Sequence, residues 1–123
     1  MLDRGEVSAE SVIVFPVILS VVLIAIQAGI FMHGANAANH IASQGALAAA
    51  GLRVGHAQAI RVVESTADSV GARLASAPEI SISGAEVSAR VTVVIPRAVP
   101  FFPEMVTRRV TVPRERYVSF LDR

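Results

Sequence analysis

Residues Val12 to Met32 read VIVFPVILSVVLIAIQAGIFM, an aliphatic run broken only by Pro16, Ser20, Gln27 and the small pair Ala28-Gly29. As a helix rising 1.5 Å per residue, this run spans about 30 Å, the thickness of a bilayer's hydrocarbon core. A buried core helix is the alternative, but the rest of a 123-residue chain is too small to wrap such a helix on every side. A cleaved secretory signal would carry a shorter apolar run behind a basic stretch. Here the run follows the acidic Glu6 and Glu10, so a membrane anchor is expected. The charge map agrees: Asp3, Arg4, Glu6 and Glu10 come early, and no charged residue follows until Arg53. Arg4 and the initiator amine stand against Asp3 and Glu6, a weak orientation signal that we read as an N-terminus in the cytoplasm and a C-terminal domain outside it. Pro16 removes one helix hydrogen bond and is expected to kink the helix near its start. Gln27, polar within the run, is expected to face a partner and not lipid.

Beyond Met32, HGANAANHIASQGALAAAG continues without charge, rich in alanine and carrying Gly34, Gly45 and Gly51. The same helix is expected to run on out of the membrane. Its small residues, with Gly29 before them, would allow close helix packing. Gly51 and Gly55 bracket a turn over Leu52–Val54. From His56 to Ser76 a second helix is expected, because Ile60, Val63, Ala67, Val70 and Leu74 recur at steps of three and four, opposite Arg61, Glu64, Ser65 and Asp68. That stripe would pack on the first helix or on a partner, and Pro78 would end the helical part.

The texture then becomes β-branched. Ile80–Ser83 and Val87–Ile95, joined by Gly84-Ala85, read as a hairpin, and alternation from Val87 through Ile95 gives its second strand one buried face. A proline-punctuated loop, Pro96 to Pro103, leads to a third strand over Val106–Val112, closed by Pro113. The fold class is therefore α+β: a long N-terminal helix, a second amphipathic helix, and a small antiparallel sheet of three strands, covered on one face by the second helix. Such a sheet is near the lower limit of independent stability.

Composition excludes much chemistry. The chain has no Cys and no Lys, hence no disulfide, thiolate metal site, cysteine nucleophile or Schiff base. A net charge of +1 with scattered arginines lacks the footprint of a nucleic-acid binder. Arg108, Arg109, Arg114, Arg116 and Arg123 are interleaved with Glu104, Glu115 and Asp122, as at a solvated strand end. His33 and His40 are seven apart, without metal-ligand spacing, and His56 lies by a glycine turn with no carboxylate at motif distance. No nucleophile elbow, HExxH or phosphate loop is present. No catalytic residue, cofactor, metal or small-molecule substrate is expected. Phe101 and Phe102, between Pro100 and Pro103, are either a plug over the small core or an exposed contact patch.

The segment RGEVSAESVIVFPVILSVVLIAIQAG resembles the start of TadE-like pseudopilins of tight-adherence pilus systems: Arg-Gly, a few small residues, a glutamate, and an apolar run with an early proline. Arg4, Gly5, Glu10 and Pro16 carry that resemblance. It extends through Gln27, Gly29, His33 and Ala35 to Ala42, Gly45, Ala48 and Ala49, while the β-rich tail agrees only in character. Ser11 departs from the family, where an aromatic residue often follows the glutamate, as do Ser43 and Leu47, where many relatives carry Arg. The resemblance implies a minor pilin that assembles by helix packing with other pilins and pilus assembly proteins. It also implies cleavage by a prepilin peptidase after Gly5, leaving Glu6 as the new N-terminus. The expected organisation is a leader over 1–5, a membrane-spanning and extended helix over 6–51, and a small extracytoplasmic domain over 52–123. An uncleaved, membrane-anchored accessory protein is the alternative. Independently of the family, a carboxylate at a bilayer boundary needs a partner or an interfacial position. Glu10 would find a partner in the freed amine of Glu6, or would simply favour the helix start through the dipole.

Overall fold

The computed structural model describes residues 2–51 and 55–114, with side chains from residue 8 onward. The chain is α+β. One helix, α1, runs from Leu2 to Ala50, and its 49 residues extend about 73 Å. It passes through Pro16 without a break. Proline has no N–H for the Val12 carbonyl, and one turn later Ser20 Oγ donates to the Pro16 carbonyl at 2.7 Å. The turn expected at Leu52–Val54 lies outside the described residues.

Helix α2 spans His56–Ser69, shorter than the periodicity predicts. Gly71 stops it, with φ of +69°, in the left-handed region that glycine enters without penalty. The Gly71 N–H then bonds the Asp68 carbonyl at 3.2 Å and the Ala72 N–H bonds the Ala67 carbonyl at 2.9 Å, closing the helix through a left-handed turn. Pro78 therefore lies beyond a helix that has already ended. Leu74, expected on the helical stripe, instead bridges to Val93, and Val70 is exposed. The buried side of α2 is Ala59, Val63 and Ala67.

The sheet comprises β1 (Glu79–Ser83), β2 (Glu86–Val94) and β3 (Met105–Pro113), antiparallel in the order β1-β2-β3. Ser83 pairs with Glu86 across the Gly84-Ala85 turn, fixing the register of the hairpin. Val87, Ala89, Val91 and Val93 are buried on one face. The other face is polar: Thr92 and Thr107 hydroxyls meet at 2.8 Å, and Arg90 lies 3.6 Å from Glu79 opposite it.

The buried face of the sheet is covered by α1, not by α2 as the sequence suggests. Helix α1 packs along β2 and β3, whereas α2 packs on α1 and reaches only β1 among the described strands. The reason lies in the side chains: Ala35, Ala38, Ala42, Ala46 and Ala49 form a buried seam whose small size brings the α1 backbone close to the valines of β2. Gly45 sits at the crossing of all three layers. A Cβ there would overlap Val63 Cγ2 from α2 and touch Ala89 Cβ at 3.6 Å and Ile80 Cδ1 at 3.7 Å.

Candidate functional site

Two regions of α1 with opposite character define the site. From Val12 to Ile26 the helix is exposed, including Val12, Ile13, Phe15, Val21 and Ile26. From Gln27 to Ala50 the helix becomes the spine of the folded domain, with buried residues recurring at helical spacing. The apolar half protrudes from the domain and has no partner among the described residues. Helix α1 over Ser8–Ala50, of which this half is part, is long and apolar enough to cross a membrane. Glu10 is exposed at the start of this half, less than two turns before Pro16. Gly5 and Glu6 fall in the first turns of α1 by backbone, and their side chains lie outside the described residues.

Gln27 marks the change of character, and its role differs from the one its sequence suggests. It is completely buried, but the groups that satisfy it belong to its own chain. Its Nε2 donates to the Pro96 carbonyl at 3.0 Å, and its Oε1 accepts from the Ala98 N–H at 2.7 Å and, more weakly, from Val99 at 3.4 Å. The amide thus clamps the loop after β2 to the helix. A glutamine suits this because one side chain supplies both a donor and an acceptor to neighbouring peptide groups. Nothing in the local pattern around Gln27 points to a loop 69 to 72 residues away. The detectable signal is only that a polar residue in an apolar run requires satisfaction.

The small residues divide similarly. At Gly34 an added Cβ would lie 3.0 Å from Ile95 Cδ1, and Gly45 is closed by α2 and the sheet. Both serve packing within the chain. Gly29 is different: nothing lies within 4 Å of its would-be Cβ, so its side of the helix is open.

In the clamped loop, Phe101 is 75% exposed and Phe102 is partly buried, their ring centroids 5.8 Å apart. Phe101 therefore belongs to an exposed patch, not to a plug. Arg97 pairs with Glu104 at 2.7 Å, which neutralises the loop's charge. An open, mainly apolar groove of about 700 Å³ lies between α1 and the turn after α2, lined by Ile26, Ile30, His33, Gly34, Arg73 and Pro96 among others. All three histidines, His33, His40 and His56, are exposed. Among the described residues no three His, Asp or Glu side chains converge as a metal site would require. Arg116, Arg123, Glu115 and Asp122 lie outside the described residues.

The arrangement offers an apolar rod and packing surfaces. No curated protein and no solved structure matches the chain. Residues 5–47, which hold the exposed half of α1 and most of the seam beneath the domain, match the family described as TadE-like protein.

Proposed function

We propose that the protein is a minor pilin of a Tad-type pilus: a non-enzymatic subunit that a prepilin peptidase cuts after Gly5 and that joins other pilins and assembly proteins through its N-terminal helix. Residues 1–5 are the leader, 6–51 the membrane-spanning and extended helix, and 52–123 the extracytoplasmic domain, with the N-terminus on the cytoplasmic side. The observation that carries this reading is the exposed apolar half of α1, Val12–Ile26, standing clear of the folded domain built on the rest of the helix. The TadE-like match over the same helix supports it. A rod of this kind has two environments that suit it, lipid before assembly and neighbouring helices after it.

Glu10 gives the assembly its register. A carboxylate carried into a bundle of apolar helices is costly unless paired. Cleavage after Gly5 creates an amine on Glu6, one helical turn from Glu10 in the same chain and free to meet Glu10 of a neighbour. The test is genetic. A strain lacking this protein should fail to make pili, and the wild-type chain should restore them while Glu10→Gln does not. Normal piliation without the protein would refute the function, and normal piliation with Glu10→Gln would refute the register role alone.

A further inference from the structure

The fold fixes where the small domain stands along the membrane helix, and that position carries an inference about what its loop touches. Strand β2 descends along α1: Val87, at its start, packs with Ala49 and Ala50, while Ile95, just past its end, lies against Gly34. Gln27 then holds Pro96, Ala98 and Val99 at its own level of the helix. The hairpin turn Gly84-Ala85 is thus at one end of the domain and the 96–103 loop at the other, separated along α1 by the Gln27–Ala49 segment, about 33 Å.

This places the loop inside the length that a bilayer needs. If lipid covered only the helix below the loop, Val12 to Ile26, the apolar rod would measure about 22 Å against a hydrocarbon core of about 30 Å. The missing length, about 8 Å, is roughly the next turn and a half of α1, the stretch from Gln27 to Met32 that the loop flanks. The loop's chemistry suits that depth. It reads Pro-Arg-Ala-Val-Pro-Phe-Phe-Pro, its only cation, Arg97, is neutralised by Glu104 at 2.7 Å, and its most exposed large side chain is the aromatic Phe101. The Arg97 guanidinium, paired with Glu104 and donating to the Pro100 carbonyl at 3.0 Å, brings no uncompensated charge to the acyl boundary where the rings would sit.

We infer that the 96–103 loop is a second membrane-contacting element, seated in the headgroup–acyl boundary with Phe101 inserted, so that the domain rests on the bilayer at a fixed height and does not float above it. This rests on the proposal that α1 spans the membrane, and the experiment separates the two. The chain contains no Trp, so single tryptophans report position without a competing indole. Phe101→Trp, Leu19→Trp in the middle of the apolar half, and Ala85→Trp at the far hairpin turn would each be placed in the full chain, reconstituted in phosphatidylcholine vesicles. Acyl chains brominated near the headgroup or at mid-chain would quench from the lipid side and iodide from the water side. The indole of Leu19→Trp is expected to be quenched by brominated lipid, and that of Ala85→Trp by iodide only. The indole of Phe101→Trp is expected to emit at shorter wavelength than that of Ala85→Trp, to be quenched by the shallow bromines, and to be shielded from iodide several-fold relative to the hairpin probe. If the loop probe behaves like the hairpin probe while the helix probe is quenched by lipid, the loop inference is overturned and the membrane helix stands. A helix probe untouched by brominated lipid would overturn both.

Discussion

Replacing Gln27 with leucine removes the loop clamp while keeping the size of the side chain nearly constant. In the native protein the amide makes two good hydrogen bonds, to the Pro96 carbonyl at 3.0 Å and from the Ala98 N–H at 2.7 Å, and a long third from Val99 at 3.4 Å. In Gln27→Leu, the Pro96 carbonyl and the Ala98 N–H lose their partners. Leaving a buried peptide group unsatisfied costs about 1–3 kcal/mol. Both bonds are only partly buried, so water can recover some of the loss, and the third is too long to add much. The expected net effect is about 2–3 kcal/mol. It acts locally, because the seam from Ala35 to Ala49 and the β2 valines do not depend on the clamp. Hydrogen exchange of backbone amides in detergent or bilayer reads it directly. At about 1.4 kcal/mol per tenfold, protection of the Ala98 amide should fall by roughly 30- to 150-fold. Amides of β2 such as Val91 should change little. Unchanged protection at Ala98 would refute the clamp. Equal loss at Ala98 and Val91 would show that the loop and the sheet open together, contrary to a local device.

Three other substitutions probe the packing. Gly45→Leu places a branched side chain where a single Cβ already overlaps Val63, so denaturant unfolding should show a loss of at least about 1–3 kcal/mol. Gly29→Ala, where nothing lies within 4 Å, should leave the unfolding midpoint unchanged or slightly raised, since alanine is the better helix former. Gly71→Ala forces a Cβ into the left-handed region at φ +69° and should destabilise by about 1–2 kcal/mol in the same assay, without shifting the α2 stripe of Ala59, Val63 and Ala67.

Much of the fold is legible in the sequence because it rests on periodicity. The charge-free run from Ser11 to Leu52 marks one long helix, and the alternation from Val87 to Ile95 marks a strand with one buried face. The end of α2 is harder to place, because the apolar stripe continues in register through Val70 and Leu74 and outweighs one glycine. Gly71 is the available signal, since a glycine after Asp68-Ser69-Val70 can close the helix by a left-handed turn. The layer order is likewise hidden. A stripe on α2 identifies a buried face but not the surface it meets, and the alanines of α1 look like a helix–helix seam until a sheet is found against them. Gln27 visibly needs a partner, but a hydrogen bond spanning 69 residues leaves no local trace. What identifies Glu10 and the Gly5-Glu6 junction is family likeness and membrane electrostatics. The described part of the folded domain makes no use of Glu10.

Whether the chain is a processed pilin subunit or a plain anchor is tested most directly by its mature N-terminus. The protein would be purified from membranes of cells with an active prepilin peptidase, and from matched cells lacking it, and its intact mass and N-terminal peptide determined by mass spectrometry. A processed pilin begins at Glu6 in the first case and at Met1 in the second, and this is the expected result. A chain that begins at Met1 in both would contradict it and leave an uncleaved membrane-anchored accessory protein, while a cut between Ala35 and Ala42 would mark the apolar run as a removed secretory signal.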